Sequence, residues 1–223
     1  MMVNLFSIFD PSTNLMVSFN WLSMMVFFII LPSQLWVAPA RPKSLLSFLL
    51  SYLFKEFKPL VKKGSFILVL ILPIFVFIAI NNSMGLLPYV FTASSHPVFT
   101  LSLALSLWLG MFVYTWLNNT SNSLIHLIPA GTPSILMPFM VLIETVSSLI
   151  RPGTLAVRLA ANMIAGHLLM VLLSSAFLFS PITALPLLYL SQALLSLLEM
   201  AVALIQAYVF SILLTLYSAE SMN

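Results

Sequence analysis

Cysteine is absent from the 223 residues, which excludes disulfides, thiol nucleophiles and iron–sulfur ligation. Charge is scarce too, because only 6% of the residues are Asp, Glu, Lys or Arg, against about a quarter in soluble domains. The net charge of +3 is small and dispersed, so no nucleic acid is expected as a partner. With 61% hydrophobic residues, the chain is predicted to be an all-α membrane protein of a single domain, residues 1–223.

Apolar segments predict about five membrane helices, of which the first three cover residues 17–37, 65–88 and 97–117. Residues 42–63 differ, because serines and lysines fall on one stripe at about 100° per residue and leucines cover much of the rest. This pattern indicates an amphipathic helix that lies in the interface. Six of the eight basic residues lie between Arg41 and Lys63, which places this segment on the cytoplasmic or matrix side and the N-terminus outside.

The last two apolar segments, residues 138–180 and 182–220, are too long for simple spans. As helices they would measure about 64 and 58 Å, whereas the hydrocarbon core is about 30 Å thick. We therefore predict a hairpin of two long, steeply tilted helices. The alternative is a turn at Arg151-Pro152-Gly153, but it would leave too few residues before it to span the membrane.

Each long segment carries a narrow polar stripe. On the first, five side chains lie within about 40° of one direction, namely Glu144, Ser148, Arg151, Arg158 and Asn162. On the second, the shared stripe consists of Gln192, Glu199, Gln206 and Tyr217. Arginine keeps its charge in proteins, and at the bilayer centre that charge costs at least about 2.5–3.5 kcal/mol. Such groups face a protein interior or an aqueous cavity and mark ion pathways.

Counting outward from Pro181 orders these groups by depth. His167 and Glu199 come to a similar outer depth, Arg158 lies midway, and Glu144 lies toward the inner side. Histidine and glutamate can exchange protons near neutral pH, whereas arginine cannot relay one, so Arg158 would interrupt a proton wire. No midplane carboxylate of this chain remains to pair with it. A partner subunit is therefore expected to supply one.

Other interpretations stay open on these residues alone. Arg158 with Glu144 or Glu199 could form a structural ion pair, and His167 could be a satisfied core histidine. It lies about 140° around the helix from Glu144, which argues against direct contact with Arg158. His96 is expected in a surface loop. A haem b protein is not expected, because the three histidines are scattered. No metal and no cofactor are expected.

Residues 155–169, LAVRLAANMIAGHLL, and 199–210, EMAVALIQAYVF, resemble the signature of the ATP synthase a subunit family. The opening segments NLF and DPS, together with GTP at residues 131–133, are similar to the mitochondrially encoded animal form, in particular that of arthropods. The resemblance extends over essentially the whole chain. The competing class is a secondary transporter or antiporter-like respiratory subunit, but such proteins usually contain internal repeats, which we do not find here.

This resemblance implies a proton-translocating stator subunit that is no enzyme on its own. It implies that Arg158 faces a carboxylate of the c-subunit ring, while His167, Glu199, Asn162 and Gln206 line an outer half-channel. Glu144 then belongs to an inner half-channel, and Arg151 and Tyr208 receive no role. The implied partners are the c-ring, other membrane and peripheral-stalk subunits, and lipids, with protons as the transported species. The implied location is the mitochondrial inner membrane, with the N-terminus toward the intermembrane space and the C-terminus toward the matrix.

Overall fold

The computed structural model describes residues 5–12, 18–31, 40–61, 66–118, 120–128, 133, 136–177 and 179–222. These residues form helices and no strand, so the predicted all-α class is confirmed. The α-helices are α1 Val26–Ile30, α2 Arg41–Phe57, α3 Ile67–Gly85, α4 Pro97–Asn118, α5 Thr120–His126, α6 Met137–Ala176 and α7 Leu185–Met222. Short 3-10 helices precede several of them, and one of these, Phe19–Met25, runs directly into α1.

Four helices are long and apolar enough to cross a membrane, namely α3, α4, α6 and α7. A shorter apolar helix covers Phe19–Ile29. It lies within the predicted first span, residues 17–37, of which a part falls outside the described residues. The chain is therefore a multi-pass helical membrane protein, with four long helices and one short apolar helix among the described residues.

Helix α2 coincides with most of the segment predicted to be amphipathic. Its apolar side buries Leu53 and Phe57 in a cluster with Val61 and Leu68. The serines of its polar stripe are exposed and bond to their own helix, each hydroxyl donating to the carbonyl three residues earlier. Residues 62–65, at the end of the predicted helix and the start of the predicted second span, lie outside the described residues.

Helices α6 and α7 are the two longest elements, with 40 and 38 residues. At about 1.5 Å per residue they measure about 60 and 57 Å, roughly twice the thickness of the hydrocarbon core. Helix α6 continues through Pro152, so the alternative of a turn at that point is wrong. The two helices pack against each other and join near the 3-10 helix Ile182–Ala184. Their steep tilt in the bilayer stays a prediction.

Small side chains let these helices approach closely. Ala156 and Ala160 on α6 and Ala203 and Ala207 on α7 are buried. Alanines at helix contacts bring the backbones together, which drives association where lipid removes the ordinary hydrophobic effect. Helix α3 packs along α7, and α4 packs along α6, so the central core consists of parts of all four helices.

Candidate functional site

Arg158 lies near the middle of α6, on an exposed part of its surface. Its side chain borders a narrow cleft between α6 and α7, where the neighbours on α7 are Gln206, Val209 and Phe210. Among the described residues, no carboxylate lies within ion-pair distance of Arg158. The ion pair found in this part of the chain joins Arg151 to Glu144. A permanent charge on an apolar helix in a membrane requires a partner. The described part of the chain does not provide one.

Next to this cleft is a small polar cavity, which has a volume of about 10 Å³, close to that of a single water site. Four polar side chains line it: Asn82 from α3, Asn162 from α6, and Glu199 and Gln206 from α7. Gln206 and Leu159 border both the cavity and the Arg158 cleft, so the two are adjacent. The structure thus brings together Arg158, Gln206, Asn162 and Glu199, all of which the sequence singles out.

Glu199 is buried, with 8% of its surface exposed, and it lies directly against the backbone of α6. A Cβ atom added to Gly166 would overlap the Glu199 carboxylate. Glycine therefore makes room here for a charged side chain from the facing helix, which is one physical reason for a glycine inside a long helix. This contact places the Glu199 carboxylate beside the residue that precedes His167.

His167 is buried on the side of α6 that faces the C-terminal end of α3. Its ring faces the backbone of Gly85, the last residue of α3. The Phe9 ring packs edge-on against it, with 6.2 Å between the ring centroids. The Nε2 atom is buried without a hydrogen-bond partner among the described residues. Buried polar atoms in this state are commonly satisfied by water, so Nε2 is available to bind one.

Asn82 is a polar member of the site to which the sequence analysis gave no role. Its side chain is fully buried, and both of its amide atoms lack a partner among the described residues. Its neighbour Asn81 differs, because that amide donates to the carbonyl of Phe77 in its own helix. The signal in the sequence was the pair Asn81-Asn82 inside an otherwise apolar segment. Nothing in the sequence distinguished the one that faces Glu199.

Glu144 lies 14 residues before Arg158 on α6, about 21 Å away along the helix axis. It forms an ion pair with Arg151 at 3.3 Å, and the two side chains are 39% and 30% exposed. The Arg151 guanidinium also lies over the Tyr217 ring of α7, 5.3 Å from the centroid. The structure therefore separates Glu144 from the polar cavity and places it in a partly exposed cluster with Arg151 and Tyr217.

His96 is not the surface residue that its loop position suggested. Its ring packs between Trp21 and Phe91, with centroid distances of 5.2 and 5.1 Å, and its Nε2 atom is buried. Within the described part of the chain, no cluster of three or more His, Asp or Glu residues could hold a metal ion.

A sequence model of the ATP synthase A chain family matches residues 13–219. The chain belongs to this family. Proteins named ATP synthase subunit a from Locusta migratoria and Drosophila melanogaster are 51% and 50% identical to it, over 99% of each chain. The one from Artemia franciscana is 47% identical, over 99% of this chain and all of the relative.

Membership of the ATP synthase A chain family confirms the resemblance inferred from the motifs around Arg158 and Glu199. The relatives come from insects and a crustacean, so the resemblance to the arthropod form is confirmed too. The match covers both long helices and nearly all of the remaining chain. It gives no support to the alternative of a secondary transporter.

Proposed function

We propose that this chain is the proton-translocating stator subunit of a rotary ATP synthase and provides two offset half-channels to a ring of c subunits. The observation that carries the proposal is the position of Arg158. It is exposed, it has no carboxylate partner in the described part of its own chain, and it adjoins a polar cavity that contains Glu199. A charge in this setting fits a partner that carries a carboxylate past it.

In this proposal the outer half-channel consists of His167, Glu199, Asn162 and Gln206. Asn82 belongs to it as well, which is supported by its position in the same cavity as Glu199. A proton arriving from outside is exchanged between His167 and Glu199, with water bridging to the unpartnered Nε2 atom. Asn162 and Gln206 then line the short distance from Glu199 toward the exposed face. There the proton neutralises a c-subunit carboxylate, and the neutral site can enter lipid as the ring turns.

Arg158 keeps the two half-channels apart. As a guanidinium it cannot take up and release protons, so it breaks any wire of water and side chains that reaches it. It also attracts the ionised form of an approaching carboxylate. The ring site must therefore lose its proton before it passes Arg158, and proton flow requires rotation.

Glu144 belongs to the inner half-channel in this scheme, where it accepts the proton that the ring releases. Its partial exposure fits a group in contact with water at the end of the path. Arg151 holds the side chain in place through the ion pair, which leaves Arg151 a structural role.

The assignment implies a working assembly with the c-ring, with other membrane and peripheral-stalk subunits, and with lipids. The chain would act in the mitochondrial inner membrane and would not be an enzyme on its own. The basic residues of α2 favour the matrix side for this helix by the positive-inside rule. The N-terminus would then face the intermembrane space and the C-terminus the matrix.

The test is Arg158→Ala in the assembled complex. We expect ATP-driven proton pumping to fall at least about a hundredfold, because removing the charge eliminates both the barrier and the attraction for the ring carboxylate. Assembly should survive, since the side chain is exposed and has no ion pair with a described residue. Pumping would be measured in vesicles, and assembly by native gel electrophoresis. Coupled pumping at the normal rate would overturn the proposal.

A further inference from the structure

Glu56 links the interfacial helix α2 to the long helix α7. The Tyr208 hydroxyl donates a hydrogen bond to Glu56 Oε2 at 3.2 Å, and 152 residues separate the two in sequence. Glu56 is half-buried, and neither it nor Tyr208 has a place in the two half-channels. A hydrogen bond to a carboxylate is among the stronger kinds in proteins, so this contact can fix one helix relative to the other.

An apolar contact lies directly beside this hydrogen bond. The ring of Phe57, the last residue of α2, stacks on the Tyr208 ring with 6.1 Å between centroids. Phe57 is 1% exposed and packs with Leu53, Val61 and Leu68. Stacked aromatic pairs contribute beyond the burial of their area. Tyr208 is thus held by its ring and by its hydroxyl at the same point of α2.

Tyr52 approaches the same carboxylate from within α2. It precedes Glu56 by one helical turn, and the pKa of the exposed Tyr52 hydroxyl is raised by the hydrogen bond that it donates to the Glu56 carboxylate and by the negative charge of that carboxylate. Tyr52 does not reach α7 through this contact. The chain therefore contains two phenols on one carboxylate, and only the Tyr208 phenol joins two helices.

The position of Tyr208 on α7 connects this joint to the proposed proton path. Tyr208 follows Gln206 by two residues, so their side chains point about 160° apart around the helix. Ala207, between them, is fully buried in the central core. Any rotation of α7 about its axis would move Gln206 away from the Arg158 cleft. A contact that holds Tyr208 restricts that rotation.

We propose that Glu56 and Tyr208 are positioning residues. They fix the orientation of α7 about its own axis and thereby keep Gln206 beside Arg158. The inference rests on the proposed function, because this orientation of α7 would maintain the barrier between the proposed half-channels. A loosened α7 would let water pass beside Arg158. Protons would then cross the membrane without turning the ring.

The experiment measures the passive proton leak of the assembled ATP synthase in vesicles without nucleotide turnover, normalised to the amount of complex. Tyr208→Phe keeps the stacked ring and removes the hydroxyl, and Glu56→Gln removes the charge. We expect each to raise the leak about fivefold, the scale of losing a partly exposed hydrogen bond to a carboxylate. The double variant should leak no more than either single one, because both remove the same contact.

Matched controls separate positioning from general stability. Tyr52→Phe removes a phenol from the same carboxylate but leaves α7 untouched, so its leak should stay unchanged. Tyr189→Phe removes an exposed phenol from the other end of α7 and should also have no effect. Variants that lose assembled complex while the leak per complex stays normal would show a merely structural contact and overturn the inference. An additive double variant would overturn it too.

A cross-linking measurement keeps the inference testable if the variants assemble poorly. The natural chain has no cysteine, so Glu56→Cys with Tyr208→Cys introduces the two thiols of this subunit. A short bifunctional thiol reagent should join α2 to α7 in the assembled complex and restore the low leak. Absence of the cross-link would contradict the contact. ATP-driven pumping by Arg158→Ala in the same vesicles tests the proposed function separately, since the loss of pumping in that variant does not depend on Glu56.

Discussion

The two halves of α6, after and before Arg158, differ in how they hold ionisable groups. We call them the outer and inner halves, after the half-channels to which the proposed function assigns them. In the outer half, His167 and the facing Glu199 are buried, and several polar atoms around them have no partner among the described residues. In the inner half, Glu144 and Arg151 are partly exposed, and they bond to each other. Arg158 lies between the two halves, and its side chain is exposed on the surface of the helix.

This difference indicates what each half is adapted to do. Buried groups without partners are costly and are held in place only by the packing around them, so they are suited to binding water and moving protons. A partly exposed ion pair contributes little to stability, and solvent can take its place. Small changes in side-chain volume should therefore reduce proton pumping when they are made in the outer half, and they should have little effect on it in the inner half.

Two glycines of α6 give the strongest test of this comparison. In Gly166→Ala the new Cβ would overlap the Glu199 carboxylate, so either Glu199 or the helix contact must shift. Overpacking of this kind costs about 1–3 kcal/mol, and we expect proton pumping to fall at least about tenfold because the carboxylate leaves its position. Pumping in vesicles and the thermal stability of the complex would be measured together.

Gly153→Ala is the matched control on the inner half. A Cβ at Gly153 would meet no heavy atom within 4 Å. Replacing a helical glycine with alanine at an open position stabilises by about 0.5–1 kcal/mol, so Gly153→Ala should be slightly more stable and pump normally. Equal effects of the two substitutions would show that the halves do not differ in packing.

Asn82→Leu is expected to have the next largest effect. The stability of the fold should rise, whereas proton pumping should fall. Leucine has the branched shape of asparagine and the same number of side-chain heavy atoms, and it removes two buried amide atoms that lack partners among the described residues, so the fold should become more stable. Pumping should nevertheless fall about fivefold, because the cavity beside Glu199 loses a side chain that can bind water. Asn81→Leu serves as the control, since Asn81 bonds to its own helix. Normal pumping in Asn82→Leu would remove Asn82 from the proton path.

The sequence predicted the polar and charged side chains of α6 and α7 better than it predicted the residues that pack against them. The lengths of two apolar segments indicated two long helices, and helical spacing placed Arg158 and Asn162 on one face. Both inferences depend on local geometry, which a sequence carries directly. The spacing also placed His167 about 140° away from Glu144, but only the fold shows that this side of α6 faces Gly85 of α3.

Contacts between distant segments account for what the sequence analysis missed. Asn82 belongs to the cavity because α3 packs along α7, and no periodicity within α3 indicates that neighbour. The hydrogen bond from Tyr208 to Glu56 joins residues 152 positions apart. The first span was less predictable still, since its described residues combine a 3-10 helix with a five-residue α-helix.

Arg151→Ala is expected to give the smallest effect and completes the comparison with Arg158. It breaks a partly exposed ion pair and a cation–π contact, each worth about 0.5–1 kcal/mol at most in such a setting. The midpoint of thermal unfolding should drop by a few degrees, and proton pumping should stay within about twofold of normal. Salt should weaken the difference between the variant and the natural chain, because exposed charges are screened. If Arg151→Ala instead stopped pumping as completely as Arg158→Ala, the positive charge of the inner half would be part of the barrier, and the two halves of α6 would share one function.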